Sequence, residues 1–162
     1  MSVLTQLHAD VDRRVQSIRD GGAEWPCAKG CDQCCRRLAE IPTLTRAEWE
    51  LLREGLAALP AAQRDEIGQR IVALAASQER PVTCPFLDRD SGACPVYPFR
   101  PVACRTYGFY VQRDRGLYCG EIEARVAAGE LAHVVWGNHD AIDRSLAALG
   151  DARPLTDWFM GD

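Results

Sequence analysis

The sequence holds one lysine, Lys29, three histidines and two methionines. It has no apolar run approaching the roughly 18 residues a membrane-crossing helix needs. No Ser/His/Asp arrangement, glycine-rich phosphate loop or His-x-x-x-His pair occurs. Any enzyme chemistry would therefore sit on a metal or a thiolate, with Asp88, Asp90, Tyr107 and Tyr110 as acid–base candidates. A formal net charge of -4 speaks against nucleic-acid binding, which wants a basic face to meet phosphates. The opening residues MSVLTQLHADVDRR lack a basic region followed by an apolar stretch, so no secretory signal is expected. The expected setting is cytoplasmic, with no membrane and an unidentified protein as the partner.

Cysteine is what the chain has in excess. Cys27, Cys31, Cys34 and Cys35 fall within nine positions, and Cys84, Cys94, Cys104 and Cys119 follow. A chain of 162 residues can bury a hydrophobic core without covalent staples. In a reducing compartment such thiols indicate metal or redox chemistry before disulfides. All eight are candidate metal ligands.

Leu4, Leu7, Val11, Val15 and Ile18 recur at helical steps, predicting an amphipathic helix over about residues 2 to 20, ended by Gly21-Gly22. His8 is expected on its surface. Pro26 keeps Trp25 extended, and Gly30 permits a tight turn before Cys31. Thr45-Arg-Ala-Glu48 has the form of a capping box, followed by an apolar stripe of Trp49, Leu52, Leu56 and Leu59. Pro60 opens a second helix with Ile67, Ile71, Leu74 and Ala75. The two predict an antiparallel hairpin over about 45–78, which returns the chain so that Cys84 comes back beside Cys35.

Prolines 81, 85, 95, 98 and 101 forbid a long helix and disfavour a central strand. Asp90-Ser91-Gly92 reads as a turn. Ligation at Cys84, Cys94 and Cys104 would hold this irregular segment. A β-hairpin is expected around Arg113–Gly116 with Gly116 at positive φ. Helices are expected from Gly120 to Ala128, stopped by Gly129, and from about Asn138 to Leu149; Trp158 and Phe159 should pack on the body. The whole is one mainly α domain, 1–162, with helices around an irregular cysteine-rich lobe and a small β-hairpin.

The residues leave the metal open. Adjacent side chains point apart, so Cys34 and Cys35 are expected to reach different metal atoms, in one cluster or in two sites. Eight thiols fit two four-cysteine sites, zinc or iron–sulfur, or one four-iron cluster with thiols to spare. No paired Cys-x2-Cys ribbon marks zinc. Cys84-Pro85 and Cys94-Pro95 resemble the cysteine–proline ending of ferredoxins. His133 and His139 lie outside the cysteine segments and are expected in ordinary surface or core roles. Arg36, Arg37, Arg100 and Arg105 flank ligand candidates, and Arg100 and Arg105 are expected to offset thiolate charge by N–H···S bonds. The spacing Cys27-x3-Cys31-x2-Cys34 is also that of radical S-adenosylmethionine enzymes. Those carry repeating strand–helix units and an aromatic where Gln33 stands here, so that reading is set aside.

CAKGCDQCC, then Cys84-Pro85-Phe86-Leu87, Cys94 through Tyr97, Arg100-Pro101 and Cys104-Arg105 with Tyr107 following, together resemble the YkgJ-like CxxCxxCC family of zinc- or iron-chelating proteins. The match runs from about Cys27 to Cys119. The first gap is x3 where the family's nickname has x2, a difference the loop absorbs. The resemblance extends to a domain of flagellin lysine methylases associated with an iron–sulfur cluster. It implies a cysteine-held iron–sulfur cluster, of the [4Fe-4S] kind, with a redox, sensing or accessory role. Arg100, Arg105 and Tyr107 are then cofactor-binding residues. Zn2+ in one or two structural sites is the alternative, and a metal-dependent enzyme is a third. No shared catalytic activity comes with the family.

Overall fold

The computed structural model describes residues 1–22 and 24–162. Its first half contains α1 (Val3–Arg19), the short α2 (Gln33–Arg36), β1 (Thr43–Leu44), α3 (Arg46–Ala57) and α4 (Ala61–Ala76). A single 3-10 turn at Tyr97–Phe99 precedes α5 (Val102–Thr106), β2 (Tyr110–Gln112) and β3 (Arg115–Leu117). After these come α6 (Gly120–Ala127), β4 (Gly137–Asn138), α7 (His139–Ala147), β5 (Arg153–Pro154) and α8 (Leu155–Gly161). The fold is mainly helical with little strand, as expected. Two compact units emerge: Met1–Ala28 with Val102–Leu149, and Lys29–Pro101 with Gly150–Asp162.

The second unit is organised by the helical pair. Thr45 and Glu48 form the capping box, with Thr45 N–H donating to Glu48 Oε2 at 2.8 Å and Glu48 N–H donating back to Thr45 Oγ1 at 3.4 Å. Leu44, Trp49, Leu52, Leu56, Ile67 and Ile71 join Phe86, Val96 and Leu155 in one buried cluster. Burial of such side chains contributes about 1.5–3 kcal/mol each, so this cluster holds α3 and α4 in one core with the segment of Phe86 and Val96. α8 lies against both helices. Its Trp158 indole N–H donates to the Leu44 carbonyl at 2.8 Å, and Phe159 meets Trp49 edge-on. β5 and β1 pair antiparallel, Thr43 opposite Pro154. Strands this short leave no periodicity to read.

The return of the chain after α4 takes place as expected. Leu38 and Val82 exchange backbone hydrogen bonds of 2.9 and 2.8 Å, and Cys84 N–H donates to the Cys35 carbonyl at 2.7 Å. The proline-rich segment that follows is also held by side chains, since Val82, Phe86, Leu87 and Val96 are all buried.

In the first unit, α1 is capped by Ser2 and buries Leu4, Leu7, Val11 and Ile18, packing on α5 and α7. His8 departs from expectation, for it is buried too. Four residues after Leu4 and three before Val11, it falls on the apolar stripe. β2 and β3 form the hairpin, but its positive-φ positions are Arg113 and Asp114 (φ 47° and 65°), not Gly116. These two residues make the primed two-residue turn that suits strand twist. Gly116 pairs with Val111 instead, and its bare Cα admits the Tyr118 ring, 1.9 Å from where a Cβ would stand. β4 adds a parallel pairing to β2. Gly129, at φ +77°, closes α6 as expected. Asn138 caps α7 by accepting from Asp140 and Ala141 N–H.

Ile71 is fully buried while its neighbour Val72 is 47% exposed. Ile71→Ala is therefore expected to cost about 2–5 kcal/mol and Val72→Ala under about 1 kcal/mol, read by denaturant melts. His8 supplies a pH dependence. Burial, then the Arg105 guanidinium, pulls its pKa down to about 4 against the raising influence of Asp12. A folded-state pKa below the unfolded value of 6.5 means the neutral ring's contribution is complete above pH 6.5 and lost as pH falls towards 4. The loss amounts to about 2–3 kcal/mol. His8→Leu should flatten the stability profile across that window.

Candidate metal centre

Five of the eight cysteines lie in the second unit. Gly30, at φ +93°, takes the left-handed turn that delivers Cys31 to the surface. Cys34 and Cys35 follow on α2, half-buried, with Sγ atoms 4.0 Å apart. This departs from the expectation that the pair would diverge. Two thiolates on one tetrahedral ion with bonds of about 2.3 Å lie about 3.8 Å apart, so the observed spacing suits a shared ion. The Cys34 thiol is pushed far up by its hydrogen bond to Cys35, then by burial, then by the neighbouring thiolate charge. Two thiols so close resist joint ionisation, and a cation is the natural compensation.

Cys84 arrives beside this pair through its backbone bond to Cys35. Cys84 and Cys94 are half-buried against the core cluster. Burial pushes the Cys94 thiol up, while the Val96 N–H and the Arg100 charge pull it down. Arg100 is itself oriented. Its guanidinium carbon lies 3.5 Å from the Tyr97 ring centroid, and Nε donates to the Tyr97 carbonyl at 3.0 Å. Lys29 Nζ stands 5.5 Å from the same centroid.

The expected turn brackets this lobe. Asp88 accepts from Asp90 N–H and from Ser91 N–H and Oγ–H; the Ser91 hydroxyl foremost holds its carboxyl below the usual range. That places Asp88 in turn geometry rather than acid–base work. Arg36 pairs with Asp32 and donates to the Arg89 carbonyl at 2.9 Å, tying α2 to the turn. Gly92, at φ +72°, packs on the Cys31 loop, its absent Cβ 3.1 Å from the Gly30 carbonyl. Arg36 and Gly92 thus support the site through backbone packing, which spacing alone does not reveal.

The other three cysteines lie in the first unit. Cys27 Sγ–H donates to the Tyr107 carbonyl at 3.6 Å, and Arg19 Nη2 donates to the Cys27 carbonyl at 3.1 Å. Gly108, at φ +95°, leaves room for that thiol: a Cβ would stand 2.8 Å from Cys27 Sγ. Cys119 is the half-buried cap residue of α6, and Cys104 is exposed on α5. Arg105, its side chain 10% exposed, pairs with Asp12 at 3.3 Å. Tyr107 contributes its carbonyl to Cys27. Tyr110 is buried, which raises its phenol pKa. His133 is exposed, and His139 stands 3.2 Å from Asp143 and edge-on to Tyr110.

Among the described residues, no three His, Cys, Asp or Glu side chains converge at metal-holding distance. The donor types fit zinc or iron all the same: thiolates throughout, one pair at shared-ion spacing and one thiol in a glycine cradle. Arg19 and Gly108 are the members of this constellation that sequence reading missed, since neither carries metal chemistry.

Gly108→Ala combines a positive φ with a Cβ inside the Cys27 sulfur. It should cost about 1–3 kcal/mol and change the alkylation rate of Cys27 read by peptide mass mapping; unchanged stability and reactivity would remove the cradle from the account.

The family model described as "CxxCxxCC: Putative zinc- or iron-chelating domain" matches residues 26–127, more than half of the chain. No curated protein and no solved structure matches it. With its cysteine motif in place and the backbone of Cys84 bonded to that of Cys35, the chain belongs to the CxxCxxCC family of zinc- or iron-chelating domains.

Proposed function

We propose that this chain is a thiolate metalloprotein whose cysteines ligate an iron–sulfur cluster, in an electron-transfer, redox-sensing or accessory role. Candidate ligands in one unit are Cys31, Cys34, Cys35, Cys84 and Cys94, and the other unit holds its own candidates, Cys27, Cys104 and Cys119. The observation that carries the reading is the backbone bond from Cys84 to Cys35, which gathers ligands separated by some fifty positions. Cys84 and Cys94 also rest on an apolar core, the kind of low-dielectric wall that tunes a cluster's potential. Arg100, locked on Tyr97 and lowering the Cys94 pKa, would offset thiolate charge there.

A second reading is favoured by one specific distance. The 4.0 Å between Cys34 and Cys35 Sγ matches a single tetrahedral ion, which supports zinc in a closed structural site.

Metal and acid-labile sulfide content, measured with an absorption spectrum on protein purified without oxygen, separates the two. The first reading expects iron with matching sulfide and a broad visible band. Zinc without sulfide or colour would overturn it in favour of the second, and the absence of both metals would overturn both. Arg100→Gln should weaken metal retention about 10–100-fold.

A further inference from the structure

A second place in the molecule has the makings of a binding site, away from the cysteines. A groove of about 1020 Å³ is lined by α3, α4 and α8. Its polar end is made by Trp49, only 3% exposed, and Arg53. Both point at one atom: Asp162 Oδ2 accepts from Trp49 Nε1 at 2.5 Å and from Arg53 Nη1 at 2.9 Å. A buried indole N–H needs an acceptor, and here a guanidinium beside it makes that acceptor specifically an anion. Phe159 and Val72 supply apolar wall, and Arg64 and Asp65 add one charge of each sign to the lining. Asp162 is itself 39% exposed by side chain, and a single carboxylate fills little of the groove.

We propose that this groove binds a small carboxylic acid with an apolar body, its carboxylate taking the position on Trp49 and Arg53 that Asp162 holds. Asp162 acts as a resident competitor, so the open site is a minor population. A ligand that must displace it binds more weakly by the fraction of open molecules. The apolar body lies along Phe159 and Val72, and the half-exposed Arg53 guanidinium beside the buried indole N–H favours the charged acid over a neutral alcohol, which offers the guanidinium no counter-charge. The chemistry is independent of whatever metal the cysteines hold.

The test is a titration of the full chain with octanoate, following the Trp49 indole N–H by NMR. Asp162→Ala should show a saturable shift about tenfold tighter than wild type, and Asp162→Asn an intermediate gain. Octanol should give no saturable shift at Trp49, and Arg53→Gln in the Asp162→Ala background should abolish the gain. No shift in either Asp162 variant, or an equal response to octanol, would overturn the proposal.

Discussion

A single hydrogen bond, from the Cys84 amide to the Cys35 carbonyl at 2.7 Å, marks where the cysteine lobe closes. The chain leaves at Cys35, makes α3 and α4, and must come back to this point for the later cysteines to share a neighbourhood with the earlier ones. What brings it back is ordinary burial. Trp49, Leu52, Leu56, Ile67 and Ile71 bring α3 and α4 into one core, and the isolated Leu38–Val82 bridge pins the returning chain. The placement of the cysteines is thus downstream of hydrophobic packing. A loop closed over this length costs only slowly more entropy as it grows, so a helical insertion separates the two cysteine segments at little expense.

Packing and charge then work against each other at the thiols. The hydrogen bond to Cys35 and then burial raise the Cys34 pKa, and burial raises that of Cys94 while the Val96 N–H and Arg100 pull it the other way. A cation bound at these two thiols would release their protons. The irregular backbone from Pro81 onward is tolerable for a related reason: the Asp88–Ser91 turn and the buried Phe86, Leu87 and Val96 hold it where no ladder of hydrogen bonds can form past the prolines.

Much of this was legible in the sequence. The capping box at Thr45, the stop at Gly129, the Asp90-Ser91-Gly92 turn and the return of Cys84 to Cys35 each follow from local chemistry or from counting helical turns. The family membership was legible from the cysteine and proline spacing. The misses share a physical origin. His8 is polar by type but lies on the apolar stripe. Gly116 looked like a turn residue, yet Tyr118 needs its missing Cβ. Cys34 and Cys35 were expected to diverge, whereas α2 is one short turn whose side chains swing both sulfurs to within 4.0 Å. Two-residue strands and the Gly108 cradle depend on contacts distant in sequence, which no periodicity announces.

Whether Cys35 and Cys84 share one centre, as we propose, is read most directly by metal content per chain in the Cys35→Ser and Cys84→Ser proteins. Both substitutions are nearly isosteric and leave the backbone bond between the two residues available. Each variant should lose the same metal, to the same extent. Full metal retention in either variant would contradict it.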